Sequence, residues 1–262
     1  MQSYDPLFDV SGRTVVITGA CGLIGRELVR AFATRGAAVA AVDITSLESR
    51  DGVPPPDGAR VLQLKADITK TSEITAVIRD VLQRFDHIDV LVNSHHYKPV
   101  GFTEARPETF PDELWDAIVE VNLKATFLTC REVGRLMLEQ GTGSIINLAS
   151  TYGVVSSNPS LYEGNSLGNP VAYSASKGGV IMLTKYLGAY WAGRGVRVNC
   201  ITPHGVSSHQ EPSFVERFSK SSPMQRLMEP SEIVGAALFL ASSASSYATG
   251  SNLLVEGGWT AW

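Results

Sequence analysis

The chain has 262 residues, of which 44% are hydrophobic and 18% charged, and its formal net charge is -4. This balance is typical of a globular protein, and the length suits one α/β domain spanning residues 1–262. The negative charge and the lack of a dense Lys/Arg stripe argue against a nucleic-acid partner.

The first nine residues contain two aspartates and a proline where a secretory signal would need an apolar run. No later stretch reaches membrane-spanning length, so we expect a cytoplasmic protein without a membrane partner. Cys21, Cys130 and Cys200 lack disulfide or zinc spacing, and we expect them to be reduced structural thiols.

Short β-branched runs alternate with longer segments of helical period along the chain. The predicted strands are residues 14–18, 38–44, 61–65, 88–93, 144–148, 196–201 and 252–255. The predicted helices are residues 23–35, 71–85, 112–139, 173–192 and 231–240. Nearly unbroken apolar strands separated by helices indicate a parallel sheet covered on both faces. The sequence therefore predicts a doubly wound, Rossmann-type α/β fold with about seven strands.

Regular structure is predicted to lapse for longest in residues 151–170 and 203–229. Both segments follow strands whose carboxyl ends should border the ligand crevice. We therefore expect an active-site insertion at 151–170 and a substrate loop at 203–229. The proline run at 54–56 is expected to be a surface turn.

A glycine-rich turn joins the first predicted strand to the first helix. Glycines let the backbone approach a pyrophosphate, and the helix N-terminus favours the negative charge of that group. Asp43 ends the second predicted strand, where a carboxylate can bind an adenosine ribose and would repel a 2′-phosphate. Together these features favour NAD over NADP. Taken alone, the turn could be a structural joint and Asp43 a capping residue. The predicted cofactor contacts of this region are Gly19, Cys21, Gly22, Leu23, Ile24, Gly25 and Asp43.

Tyr173 and Lys177 are four residues apart, which places them on one helix face, one turn from each other. A free tyrosine has a pKa of about 10, and an adjacent ammonium would lower that pKa toward a range useful for proton exchange. Ser150 ends the fifth predicted strand, where its hydroxyl can bind a substrate oxygen beside the tyrosine. Tyr173 is therefore the predicted acid/base, although an isolated Tyr-x-x-x-Lys pattern is also typical of a solvated helix face.

The glycine turn, the acidic residue, the Ser, Tyr and Lys set and the alternating architecture resemble the short-chain dehydrogenase/reductase family over nearly the whole chain. The resemblance implies an NAD-dependent oxidoreductase that moves a hydride between nicotinamide and an alcohol or ketone. It implies that Asn122 supports a water-mediated proton path from Lys177. It also implies cofactor contacts by Asp67, Ile68, Asn93, Tyr173, Lys177, Pro203, Gly205 and Val206.

Two features depart from the family pattern. The middle glycine of the turn is shifted to Gly22, and His95 and His96 stand where the family commonly has Ala-Gly. The histidines at 95, 96, 204 and 209 fall in two separate loops without an acidic partner at ligand spacing, so we expect no metal site.

Ser150 and Tyr173 are separated by 22 residues, about ten more than is usual in the family. The extra residues are rich in amide, hydroxyl and carboxylate groups, which favours a polar substrate. This region and the chain's end resemble bacterial oxidoreductases of flagellin and surface-sugar modification, which implies a sugar-derived substrate. The alternative is that the insertion packs a subunit contact. The predicted substrate residues are His95, Tyr162, Glu163, Asn165 and His204.

The family resemblance and the apolar ending around Trp259 and Trp262 also imply a homotetramer or homodimer. Two other functions stay open. A carbonyl or 3-oxoacyl-thioester reductase would use the same catalytic residues. A dinucleotide-sensing regulator or scaffold could keep the fold without turnover, but would not need Ser150, Tyr173 and Lys177 together.

Overall fold

The computed structural model describes residues 5–45, 58–103, 106–164 and 168–262. These residues form a seven-stranded sheet in the order β3-β2-β1-β4-β5-β6-β7, in which every pairing is parallel. The strand order reverses between β1 and β4, which opens a ligand crevice beyond their carboxyl ends. The strands are β1 Thr14–Thr18, β2 Ala38–Asp43, β3 Val61–Lys65, β4 Val90–Asn93, β5 Gly143–Leu148, β6 Val196–Pro203 and β7 Asn252–Val255.

Helices cover both faces of the sheet. They are α1 Leu23–Thr34, α2 Thr71–Phe85, α3 Asp112–Val119, α4 Ala125–Gln140, α5 Val171–Trp191, α6 Pro212–Ser221 and α7 Ile233–Ala241. Successive strand residues point to opposite faces, so Val15 and Ile17 pack under α1 and α7, while Val16 packs under α2, α4 and α5. The predicted doubly wound sheet is confirmed. None of the helices in the described residues is long and apolar enough to cross a membrane.

Three sequence-based expectations about the elements need correction. The predicted helix at 112–139 is divided into α3 and α4 by a π-helical turn, Glu120–Lys124, which the apolar period alone does not reveal. The helix predicted at 231–240 begins as a short 3-10 turn, Pro230–Glu232, before α7. The segment 203–229 is not irregular throughout, because it contains α6. The proline run at 54–56 lies outside the described residues.

Helix α6 begins with a proline and buries two phenylalanines on one face. Pro212 occupies the first helical turn, where its missing amide costs no hydrogen bond. Phe214 and Phe218 follow one turn apart and pack with Leu161 of the insertion and with Leu227. The segments 151–170 and 203–229 therefore share a small apolar core beside the crevice.

Candidate active site

The glycine-rich turn leaves no room for side chains at two positions. Gly19 has a φ of +67°, and a Cβ there would lie 2.6 Å from the Cα of His95. A Cβ on Gly25 would overlap the carbonyl oxygen of Gly19. Gly22 is the N-cap of α1, and the first amides of a helix have no intrahelical partner. This cradle, with the N-terminus of α1 opening into the crevice, fits a dinucleotide pyrophosphate.

The carboxylate of Asp43 is tied to this turn. Its Oδ2 accepts a hydrogen bond from the Cys21 amide at 2.9 Å. Its Oδ1 accepts from the amide and the hydroxyl of Thr45, both at 3.0 Å. The carboxylate therefore stands at the end of β2, beside β1, which is the position that binds the ribose in dinucleotide folds.

The predicted contacts Asp67 and Ile68 follow β3. The Oδ1 of Asp67 accepts hydrogen bonds from the Thr69 hydroxyl at 2.7 Å and from the Thr69 amide at 3.1 Å. The Thr69 side chain is the main reason that the pKa of Asp67 is lowered. Ile68 packs against the core between the sheet and α2. Neither side chain lines the cavity that holds Ser150, Tyr173 and Lys177.

The side chain of Asn93 forms its hydrogen bonds within the protein and does not line the cavity. The side chain is buried and accepts hydrogen bonds from Thr18 at 3.2 Å and Thr129 at 2.8 Å. It donates to the Oδ1 of Asn147 at 2.9 Å. The amide therefore joins β1, β4, β5 and α4 just below the switch point, and its hydrogen-bonding capacity is used within the protein.

The structure brings Ser150, Tyr173 and Lys177 together in a cavity of about 290 Å³ at the carboxyl edge of the sheet. Ser150 follows β5, and the other two extend from α5. Burial lowers the pKa of Lys177 to about 8. Its Nζ donates to the carbonyl oxygen of Leu148 at 2.8 Å, which fixes the ammonium beside the end of β5.

The pKa of Tyr173 is raised, chiefly by burial, and a hydrogen bond with Ser150 acts in the opposite direction. Spacing led us to expect that Lys177 would lower this pKa. In the structure the ammonium donates its hydrogen bond to the Leu148 carbonyl, and the hydrogen bond that lowers the pKa of Tyr173 comes from Ser150.

Asn122 lies within the π-helical turn, a feature that often occurs at functional sites. Its Oδ1 accepts from the Tyr97 amide at 2.8 Å, and its Nδ2 donates to the Ser176 hydroxyl at 3.3 Å. Asn122 therefore contacts the neighbour of Lys177 in sequence, and ties the loop after β4 to α5.

Several predicted cofactor and substrate residues line the same cavity as Ser150, Tyr173 and Lys177. They are Gly22, Leu23, Ile24, His95, Tyr162, Pro203, His204, Gly205 and Val206.

The imidazole of His95 lines this cavity, and both of its nitrogens contact threonine hydroxyls. Its Nδ1 lies 2.7 Å from the Thr18 hydroxyl, and its Nε2 lies 3.1 Å from the Thr126 hydroxyl. Burial lowers its pKa to about 3, so the ring is neutral at physiological pH. His95 can therefore contact a substrate only through the surface of a fixed, uncharged ring.

His204 is buried among three aromatic rings. The ring centroids of Tyr152, Phe218 and Trp259 lie 5.2, 4.7 and 4.3 Å from that of His204. Its Nε2 has no hydrogen-bond partner within the described part of the chain. Burial lowers its pKa to about 4, which keeps the imidazole neutral above that pH.

Among the described residues of the insertion, Asn169 lines the cavity, whereas several other polar side chains do not. The Oδ1 of Asn158 accepts hydrogen bonds from the Ser160 amide at 3.1 Å and from the Ser160 hydroxyl at 2.9 Å. Glu163 is exposed and outside the cavity lining, and its carbonyl accepts a hydrogen bond from Arg217. Asn165 lies outside the described residues.

Several aromatic residues that line the cavity were not predicted from the sequence. Phe214 and Phe218 are one turn apart on α6, a spacing that indicates the helix and its buried face. Tyr152 lies two residues after Ser150, close enough in sequence to reach the same cavity. The lining residues that were not predicted are Ser94, Phe102, Leu148, Ala149, Tyr152, Gly168, Ser208, Gln210, Phe214 and Phe218.

Comparison with known proteins places the chain in a family. Residues 19–260 match the family model described as Enoyl-(Acyl carrier protein) reductase. The chain is 35% identical to a galactitol 2-dehydrogenase (L-tagatose-forming) from Cereibacter sphaeroides, with 100% of both chains covered. It is 33% identical to an NAD-dependent glycerol dehydrogenase from Listeria innocua, over 99% of this chain and 98% of the relative.

Solved structures agree with this placement. A short-chain dehydrogenase from Leptospira borgpetersenii with bound NAD+ has a TM-score of 0.88 at 34% identity, covering 99% of this chain and 97% of that chain. A gluconate 5-dehydrogenase from Burkholderia cenocepacia, in complex with NADP and tartrate, has a TM-score of 0.84 at 29% identity, with 98% of both chains covered. The chain belongs to the short-chain dehydrogenase/reductase family. It is an oxidoreductase of the class that uses a pyridine nucleotide, which confirms the predicted family and enzyme class.

Proposed function

We propose that the protein is an NAD-dependent dehydrogenase that interconverts a secondary alcohol and a ketone of a polar, sugar-derived substrate. The observation that carries this proposal is the convergence of Ser150, Tyr173 and Lys177 in one cavity at the switch-point end of the sheet. Relatives named for galactitol and glycerol support a polyhydroxylated substrate.

Each catalytic side chain has a role that follows from its position. The Ser150 hydroxyl orients the substrate oxygen beside Tyr173, and Tyr173 exchanges the proton of that oxygen. Lys177 is an ammonium below about pH 8 and adds positive charge to the cavity. Asn122 positions α5 through Ser176 and supports the proton path from Lys177. Bound NAD would accept or donate the hydride.

The cofactor-binding residues form a second group beside this one. The cradle at Gly19, Gly22 and Gly25 would hold the pyrophosphate, and Asp43 would hold the adenosine ribose. The remaining proposed contacts are Cys21, Leu23, Ile24, Asp67, Ile68, Asn93, Pro203, Gly205 and Val206.

A 3-oxoacyl-thioester reductase is the second candidate, because the description of the matching family model names a reductase of acyl carriers. Assays of the wild-type protein on both classes of substrate distinguish the two candidates. We expect the kcat/KM with NAD and at least one of galactitol, threitol and glycerol to exceed that with NADH and an acetoacetyl thioester by at least about tenfold. A preference for the thioester would replace the proposed substrate class with the second candidate.

The cofactor preference depends on Asp43. Replacing it in Asp43→Asn keeps the shape of the side chain but removes the charge that repels a 2′-phosphate. The preference of kcat/KM for NAD over NADP should then fall by about 10-fold or more. Asp80→Asn, on the exposed face of α2, is the matched control and should leave the ratio unchanged. Wild-type protein that prefers NADPH would contradict this role of Asp43.

We also propose that the chain forms a homodimer or homotetramer. Met182, Tyr186 and Tyr190 are exposed at four-residue intervals along α5, which makes an apolar stripe on one helix face. Light scattering at micromolar concentration should give a mass at least twice 28.1 kDa. Tyr186→Glu should lower that mass, whereas Val100→Glu, at an exposed loop position, should not. A wild-type monomer would exclude the proposed assembly.

A further inference from the structure

Two phenols face the catalytic residues from the insertion side of the cavity. Tyr152 follows Ser150 by two residues, and its amide donates to the Ser150 hydroxyl at 3.2 Å. Tyr162 follows the 3-10 turn Pro159–Leu161, and its hydroxyl donates to that of Tyr152 at 2.6 Å. Both side chains line the cavity together with Tyr173. We call Tyr152 and Tyr162 the phenol pair.

The phenol pair has a hydrogen-bond donor to spare. Two hydroxyls carry two protons, and the contact between them uses one. The second proton has no acceptor among the residues that the structure describes, because no other hydrogen bond of either hydroxyl occurs there. Burial is the main cause of a raised pKa at both Tyr152 and Tyr162, so both phenols keep their protons at neutral pH.

Aromatic packing holds both rings in place. Tyr162 stacks on Phe214, with ring centroids 5.8 Å apart and an interplanar angle of 29°. Tyr152 meets His204 edge-on, at 5.2 Å and 82°. The phenol oxygens are therefore held in position, and a hydrocarbon ligand in the cavity would leave the spare donor without a partner.

The direction of the spare donor follows from its neighbours. Tyr152 and Tyr162 line the same cavity as Tyr173 and Ser150, so their hydroxyls share the space in which a substrate oxygen would be bound. Tyr152 is joined through its amide to Ser150. An oxygen bound by Ser150 and Tyr173 would thus have the phenol pair as its neighbour.

We propose that the phenol pair donates a hydrogen bond to a second substrate oxygen, on the carbon adjacent to the reacting carbon. The substrate is then a vicinal diol in the oxidative direction and an α-hydroxyketone in the reductive direction. The second hydroxyl group is unchanged by the reaction. This inference rests on the proposed function, because Ser150 and Tyr173 must hold the first oxygen.

The test compares butane-2,3-diol with butan-2-ol, which lacks only the adjacent hydroxyl group, in NAD-linked oxidation. Wild-type protein should favour the diol in kcat/KM by at least about tenfold. Tyr152→Phe should reduce this selectivity by about 10- to 100-fold, because the ring remains and the donor is lost. Tyr162→Phe should reduce it less, since Tyr152 keeps its own proton. Tyr247→Phe, at a fully exposed tyrosine, is the matched control and should not alter the selectivity.

The outcomes separate this inference from the function on which it rests. Equal wild-type activity on both alcohols would leave the dehydrogenase intact and overturn the role of the phenol pair. Unchanged selectivity in Tyr152→Phe, with a lower thermal unfolding midpoint, would show that the pair only braces the insertion. A protein that oxidises neither these probes nor any polyol with NAD would overturn both proposals.

Discussion

Replacing Tyr173 with phenylalanine should lower NAD-linked turnover by at least about 10²-fold, because the variant loses the group that exchanges the substrate proton. The ring remains in its edge-on contact with Phe102, at a centroid distance of 5.8 Å, so the cavity should keep its shape. Affinity for NADH, measured by fluorescence titration, should therefore change by less than about threefold.

Tyr247→Phe controls for the loss of a phenol hydroxyl elsewhere, and its steady-state constants should match those of the wild type. Near-wild-type turnover in Tyr173→Phe would remove Tyr173 from the mechanism. Parallel losses of turnover and NADH affinity would show instead that the substitution distorts the cofactor site.

Lys177→Met should damage both steps of the reaction. The methionine keeps an unbranched apolar side chain but removes the ammonium, so we expect kcat/KM to fall by at least about 10²-fold. The affinity for NADH should fall by about tenfold, because the resemblance to the family places the ammonium against the nicotinamide ribose.

The pH profile of Lys177→Met tests the electrostatic part of this prediction. Burial already raises the pKa of Tyr173, and the variant loses a buried cation one helical turn away. The rate-controlling ionisation should therefore move to higher pH. An unchanged ionisation would show that Ser150 and burial alone set the acidity of Tyr173.

The thermal unfolding midpoint of Lys177→Met shows whether the substitution also damages the fold. Burial lowers the pKa of Lys177 to about 8, below its value in an unfolded chain. Keeping the ammonium charged in the folded protein therefore costs free energy at neutral pH, and this cost disappears as the pH rises through both pKa values. Methionine avoids that cost but loses the hydrogen bond to Leu148. The thermal unfolding midpoint should thus change little, and a large decrease would assign Lys177 a structural role.

The fold could be predicted from the sequence because its strands and helices differ strongly in period. β1, β3 and α2 begin and end where the apolar pattern predicts, and the glycine turn between β1 and α1 lies at the expected switch point. Local chemistry is sufficient for such elements. The positions of Ser150, Tyr173 and Lys177 follow from the strand and helix that carry them.

Contacts between distant segments could not be predicted in the same way. The resemblance to the family implies a cofactor contact for Asn93, whereas the burial of its side chain among Thr18, Thr129 and Asn147 depends on how four elements pack. The phenol pair likewise depends on how the insertion folds back onto Ser150. The polar composition of the insertion predicted a polar cavity wall, whereas Asn158 and Ser160 satisfy each other locally.

Hydride transfer between a substrate carbon and NAD is the central claim, and isotope transfer tests it most directly. The polyol that gives the highest kcat/KM is prepared with deuterium on its carbons that bear secondary hydroxyl groups, and the nucleotide product is examined by mass spectrometry. We expect reduced nucleotide that carries one deuterium, formed by the wild type and at least about 10²-fold more slowly by Tyr173→Phe. Reduced nucleotide without deuterium, or no reduction with any polyol, would contradict the proposed function.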